Sequence, residues 1–67
     1  MVTALKIARI TNGIKQWELA NLVGISQTEL SHYESGRRRC PADKRYNIAK
    51  ALNLSVEKVF PLEESNA

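Results

Sequence analysis

QWELANLVGISQTELSHYESGR, running from Gln16 to Arg37, decides how this chain folds. Leu19, Ala20 and Val23 recur at helical spacing before Gly24, and Leu30 and Tyr33 do so after it. Gly24 stands where the first of these helices must stop, since glycine accepts the left-handed conformation that commonly ends a helix. Ser26 and Glu29 form an S-x-x-E capping box, which gives a helix beginning at Ser26 a physical cause. The spacing therefore predicts two short amphipathic helices, Lys15–Val23 and Ser26–Ser35, joined by a tight turn.

The same punctuation extends in both directions. Gly13 closes a helix over Val2–Asn12, and Gly36 closes the one that starts at Ser26. Pro41, tolerated at a first helical position, opens a fourth helix running to about Leu52. Ser55 caps a fifth, Ser55–Phe60, which Pro61 stops. No stretch alternates with period two for long enough to make a strand. The expectation is an all-α fold, a compact bundle of five short helices in a single domain over 1–67. Its core spans about residues 3–61, and 62–67 form a frayed tail. Helical periodicity assigns to the core Leu5, Ala8, Ile14, Leu19, Ala20, Val23, Ile25, Leu30, Tyr33, Ile48, Ala49, Leu52, Val56, Val59 and Phe60. Ile7, Ile10 and Trp17 fit that pattern poorly and are either core overflow or a contact patch.

Size and composition exclude several classes. At 67 residues, folding removes only about 60% of the unfolded chain's surface, so the core is thin. With 43% hydrophobic residues, three glycines and two prolines, the composition is that of a globular protein. No run approaches the roughly 18 apolar residues of a membrane span, and no leader resembles a signal peptide. The single Cys40 forms no internal disulfide, which suits a reducing cytoplasm. Cys40 and His32 supply two of the four ligands that structural zinc needs, so neither metal nor cofactor is expected. An enzyme needs a nucleophile, base or metal constellation, and the one histidine faces out of a helix without partners. Charge is uneven: nine basic residues face four acidic ones through Lys50, and one faces three thereafter. A solvated basic face and a polyanion partner explain that surplus about equally well.

The outer face of the helix from Ser26 is the main functional clue. With Leu30 and Tyr33 inward, Thr28, Ser31 and His32 turn outward, with Gln27 and Glu29 on the flanks. All can hydrogen-bond, and none is Lys or Arg. Such a face is also what plain solvated surface looks like, but its side chains suit the donor and acceptor pattern of base edges. Gln27 can bind adenine in a bidentate manner, the Thr28 methyl can touch thymine, His32 can donate to guanine, and Glu29 can accept from cytosine. Two helices joined by a short turn containing Gly form the unit that lays its second helix in the DNA major groove. Gln16 and Lys15 stand at the start of the preceding helix, where free N–H groups favour an anion. Arg37, Arg38 and Arg39 leave the second helix in a loop, as a solubilising run or as a grip on flanking phosphates.

Five segments together resemble the phage-repressor (lambda repressor/Cro-like, XRE-type) helix-turn-helix family. They are Leu5-Lys6 with Arg9, the run Gly13 to Ala20, Gly24-Ile25-Ser26-Gln27, Leu30-Ser31 with Tyr33 to Arg37, and Ile48 to Leu52. The resemblance spans about residues 5–60. It implies a five-helix DNA-binding domain whose members bind operator DNA, typically as dimers. It implies that Gln16 binds phosphate, that Gln27 and Thr28 read bases with Ser31 and His32 following, and that Arg9 and Glu34 form a partly buried salt bridge. Three residues depart from the pattern. Lys15 replaces the usual Ser or Thr cap, Trp17 an acidic or small residue, and Cys40 a proline, where a small apolar plug is the expected role ahead of a redox sensor.

The expected function is thus a sequence-specific double-stranded DNA-binding transcription regulator, a repressor or autoregulator, in a bacterial or phage cytoplasm. It would act as a homodimer on a palindrome with half-sites about 10–10.5 bp apart. Val59, Phe60, Pro61 and Leu62 are the candidate dimer interface, with core closure as the plainer reading of Val59 and Phe60. The alternative is a protein-interaction module that docks a partner through Ile7, Ile10, Trp17 and the last helix. No small-molecule ligand is evident.

Overall fold

In the computed structural model, which describes residues 2–62, five α-helices follow one another: α1 Ala4–Thr11, α2 Gln16–Val23, α3 Gln27–Ser35, α4 Ala42–Ala51 and α5 Val56–Val59. Among the described residues there is no strand, and the expected fraying beyond Leu62 lies outside them. α2 packs on α3 and α4, α1 packs on α3, and α5 closes the bundle by touching both α4 and α1. Each helix contributes one fully buried aliphatic residue to the common core: Leu5, Leu19, Leu30, Ile48 and Val59. Ala20, Tyr33, Cys40, Ala49 and Leu52 complete it, with Ala8, Ile14, Val23, Ile25, Val56 and Phe60 packed around it. Ile7, Ile10 and Trp17, the three residues that broke the periodic pattern, are exposed.

Four helices end in the same way. After α2, Gly24 takes φ +82°, and the Ile25 N–H returns to the Ala20 carbonyl at 3.0 Å. Gly13 and Gly36 end α1 and α3 with the same pattern of returning bonds. α4 repeats it without glycine: Asn53 adopts φ +58° while Leu54 N–H reaches the Ala49 carbonyl at 3.0 Å. Asparagine is among the few residues with a side chain that visit this region routinely.

The helix starts differ from the sequence expectation. Thr3 caps α1, its hydroxyl accepting the Lys6 N–H at 3.2 Å. Ser26 caps α3 through the Glu29 N–H at 3.0 Å, but the Glu29 carboxylate does not return to the Ser26 N–H, so only half of the expected capping box forms. α2 has the opposite half. Lys15 has no acceptor to offer, and Glu18 Oε1 instead accepts the Lys15 N–H at 3.0 Å. Pro41 occupies the N-cap position rather than the first helical one, so α4 begins at Ala42. Ser55 stands at the N-cap of α5, but its side chain makes no capping bond.

Candidate nucleic-acid interface

α3 is held from below by Leu30 and Tyr33 in the core and from its C-terminal end by Glu34. Glu34 is buried and paired. Arg9 Nε donates to Glu34 Oε2 at 2.6 Å and Arg9 Nη2 to Oε1 at 3.3 Å, with side chains 12% and 3% exposed. The remaining Arg9 nitrogen, Nη1, donates to the Ile14 carbonyl at 2.8 Å, and the Thr3 hydroxyl donates to the Glu34 carbonyl at 2.8 Å. One residue thus ties α1, the α1–α2 turn and α3 together. Removing either charge would strand the other in a nearly dry site.

The polar network continues to the surface. Gln16 Nε2 donates to Glu34 Oε1 at 3.2 Å, and Gln16 Oε1 accepts from Gln27 Nε2 at 3.2 Å. The first residue of α2 and the first of α3 are therefore joined side chain to side chain. Gln27 and Thr28 are exposed, while Ser31 and His32, further along the same helix, are half-buried. Arg37, Arg38 and Arg39 are exposed where the chain leaves α3. Their exit is fixed by the backbone, because Arg37 N–H at 3.0 Å and Arg38 N–H at 3.3 Å both donate to the His32 carbonyl. Lys15 is exposed beside Gln16 at the N-terminus of α2. The candidate contact residues therefore lie on α2, α3 and the loop that follows.

Glu29 is a correction. The sequence offered it as an acceptor for a cytosine amino group, but its Oε2 already accepts from Tyr33 Oη and Lys44 Nζ. Those two donors, Lys44 foremost, hold the Glu29 carboxyl below the usual carboxylate range. Glu29 in turn raises the Lys44 ammonium. Lys44 is the residue that sequence reasoning missed, because a lysine on α4 meets Glu29 only through the packing of the chain. Val59 is a second correction. It is 0% exposed, sealed in the core as α5 closes the bundle, so it presents no surface to a second copy. Phe60 and Pro61 are half-buried, and Leu62 is 77% exposed.

Cys40 is buried among apolar neighbours, and burial pushes its thiol up to about 11. No group of three metal-ligating side chains occurs among the described residues, nor is any helix there long and apolar enough to cross a membrane. An open groove between α4 and α5 is lined by Tyr46, Lys50, Leu54 and Lys58 among others, with no His, Cys, Asp or Glu.

Residues 5–59 match the helix-turn-helix family HTH_3. The chain belongs to that family. This helix-turn-helix domain is 38% identical over 47 residues to an uncharacterised transcriptional regulator in the ATPase CF(0) region of Rhodospirillum rubrum, a match covering 70% of this chain and 44% of that one. Among solved structures it resembles the clp gene regulator ClgR of Corynebacterium glutamicum, with TM-score 0.82, 32% identity and coverage of 94% of this chain and 65% of that one. It also resembles the hypothetical transcription factor NHTF of Neisseria, with TM-score 0.78, 25% identity and coverage of 94% and 75%. The helix-turn-helix chain thus spans less than half of the Rhodospirillum relative and about two thirds of ClgR.

Proposed function

We propose that this helix-turn-helix chain is a sequence-specific double-stranded DNA-binding transcription regulator, acting in the bacterial or phage cytoplasm as a repressor or autoregulator. Gln27, Thr28, Ser31 and His32 read base edges in the major groove. Gln16, Lys15, Arg37, Arg38 and Arg39 hold the phosphates that flank it. The observation that carries this reading is the position of Gln27 and Thr28. They are exposed at the start of a helix whose opposite side is locked into the core, next to the N-terminus of α2. A rigid helix offering short polar side chains beside cations suits base reading better than it suits generic solvation. The relatives named as a transcriptional regulator and as a clp gene regulator support the same reading.

Each domain reads one half-site, so specific affinity comes from a homodimer on a palindrome, with Phe60, Pro61 and Leu62 as the interface. The second reading, docking of a protein partner, draws on exposed Ile7 and Ile10, one turn apart on α1. Selection from a random duplex library, followed by binding of the selected site across a salt series, tests the first reading. A palindromic motif whose recognition is lost in Gln27→Ala is the expected result. Failure of the wild-type chain to retain any duplex at low salt overturns it. Should DNA binding fail while Ile7→Lys abolishes a protein complex, the second reading takes its place.

A further inference from the structure

We propose that Glu29 is an electrostatic brake on DNA binding: its ion pair with Lys44, beside the arginine loop, keeps that lysine out of the phosphate-binding set and so limits sequence-independent affinity. This rests on the DNA-reading function proposed above and gives a role to two residues outside it.

Glu29 directly follows Thr28 on α3, and its Oε2 accepts from Lys44 Nζ on α4 and from Tyr33 Oη. Tyr33 is rooted in the core at 6% exposure, so its hydroxyl keeps the carboxylate where Lys44 can reach it. The side chains of Lys44 and Glu29 are 33% and 22% exposed, which puts the pair at the surface. Arg38, the middle residue of the arginine loop, is close enough to act on the Glu29 charge. One negative and two positive charges therefore gather where the chain passes from α3 to α4. An ion pair this exposed adds little to stability, because solvent screens it. Its effect on a polyanion is larger. Affinity for the phosphate backbone follows the number of cations free to displace counterions, and it needs no base contact. Lys44 is paired and adds nothing to that number, while Glu29 also offsets part of the Arg38 charge. Removing the charge of Glu29 but not its shape adds Lys44 to the set formed by Lys15, Arg37, Arg38 and Arg39. Glutamine does so and still offers Tyr33 Oη an oxygen. A regulator that competes against a large excess of wrong sites gains from a weaker backbone grip, since those sites are bound through that grip alone.

Two measurements test this. The first follows binding of the chain to random-sequence duplex DNA across a salt series. Glu29→Gln is expected to steepen the slope of log K against log salt by about 0.9 per domain, so its advantage over wild type grows about eightfold for each tenfold fall in salt. Adding Lys44→Gln to that variant is expected to restore the wild-type slope. An unchanged slope in Glu29→Gln overturns the brake. So does a double variant that keeps the steeper slope, since the released cation is then not Lys44. Selection from a random duplex library should return the same motif for Glu29→Gln as for wild type. Loss of preference at one position would make Glu29 a base reader and overturn the brake equally. The second measurement needs no DNA. It compares the rates at which an amine-reactive acylating reagent modifies Lys44 and the exposed Lys50 in the free chain, read by mass spectrometry. Glu29→Gln is expected to speed acylation of Lys44 several-fold and leave Lys50 unchanged. Equal rates at Lys44 in variant and wild type overturn the brake whatever DNA does. If neither chain binds any duplex, the DNA-reading function falls and the brake falls with it, while the acylation rates still decide whether Glu29 holds Lys44 in solution.

Discussion

Glu34 is 2% exposed overall, yet it carries a charge, and what makes that tolerable is the Arg9 guanidinium with two N–H groups on its oxygens. Truncating one partner leaves the other charged and dry, a loss of about 3–5 kcal/mol for Glu34→Ala or Arg9→Ala. On a 67-residue domain, whose whole stability is roughly 3–10 kcal/mol, either change removes from about a third to all of it, a loss that urea titration would measure. Glu29 differs in kind. It is near the surface, and Lys44 and Tyr33 together hold its carboxyl below the ordinary range. A carboxyl lowered on folding adds stability above its unfolded value and loses it as pH falls through its folded one. Urea midpoints of wild type and Glu29→Gln should therefore differ at pH 7 and converge as pH drops below about 4. Parallel curves would show that the contact contributes nothing. Cys40 has the opposite sign. Its thiol is raised to about 11 by burial, so its contribution is full below the unfolded value near 9 and fades between the two. At pH 8 an alkylating reagent should label it only as fast as the chain unfolds.

At the scale of the element, the turn at Gly24 sets the angle between α2 and α3. Apart from Gly24 and its two chain neighbours, nothing lies within 4 Å of where a Cβ would stand, so Gly24→Ala meets no tertiary clash and costs only the left-handed backbone, about 1–2 kcal/mol. Asn53 offers the converse. Its φ of +58° is one that glycine adopts freely, so Asn53→Gly is expected to raise the thermal midpoint slightly or leave it unchanged, whereas Asn53→Val lowers it by several degrees. These stops explain how far the fold is legible in the sequence. Glycine declares a helix end because little else is suited to one, and three of the four returning turns are readable that way. Asn53 is not, because asparagine serves many other conformations. Caps are less legible still. S-x-x-E at Ser26 reads as a reciprocal box, but Glu29 is drawn away by Lys44, fifteen residues later in the chain. A local rule cannot register a competitor supplied by tertiary packing.

For the whole molecule, the same limit governs the site. The exposure of Thr28 is legible from helix phase, since it lies opposite Leu30 and Tyr33, whereas Gln27 on the flank is exposed and Ser31 and His32, which phase turns outward, are half-buried. The network from Arg9 through Glu34 and Gln16 to Gln27 joins four residues from three helices, and helix phase says nothing of such links. Val59 shows the reverse error. Its apolar side chain suits an interface and a core equally, and only closure of α5 on α1 and α4 decides between them. The division of labour across the surface leads to a quantitative expectation. Lys15, Arg37, Arg38 and Arg39 are the exposed cations proposed to hold phosphates, and each phosphate they neutralise should add about 0.9 to the slope of log K against log salt. A single domain on a half-site should therefore show a slope of roughly −3 to −4, and a dimer on a full palindrome about twice that. Arg38→Ala should lower the slope by about 0.9 per domain while leaving the selected motif unaltered, because phosphate contacts carry no base information. Gln27→Ala should do the reverse, keeping the slope and erasing preference at one position in each half-site. Leu62→Asp, at the exposed edge beyond α5, should halve the slope on the palindrome by separating the two domains without unfolding either. A wild-type slope near −3 on the full palindrome would mean that one domain binds alone, and the proposed dimer would have to be abandoned.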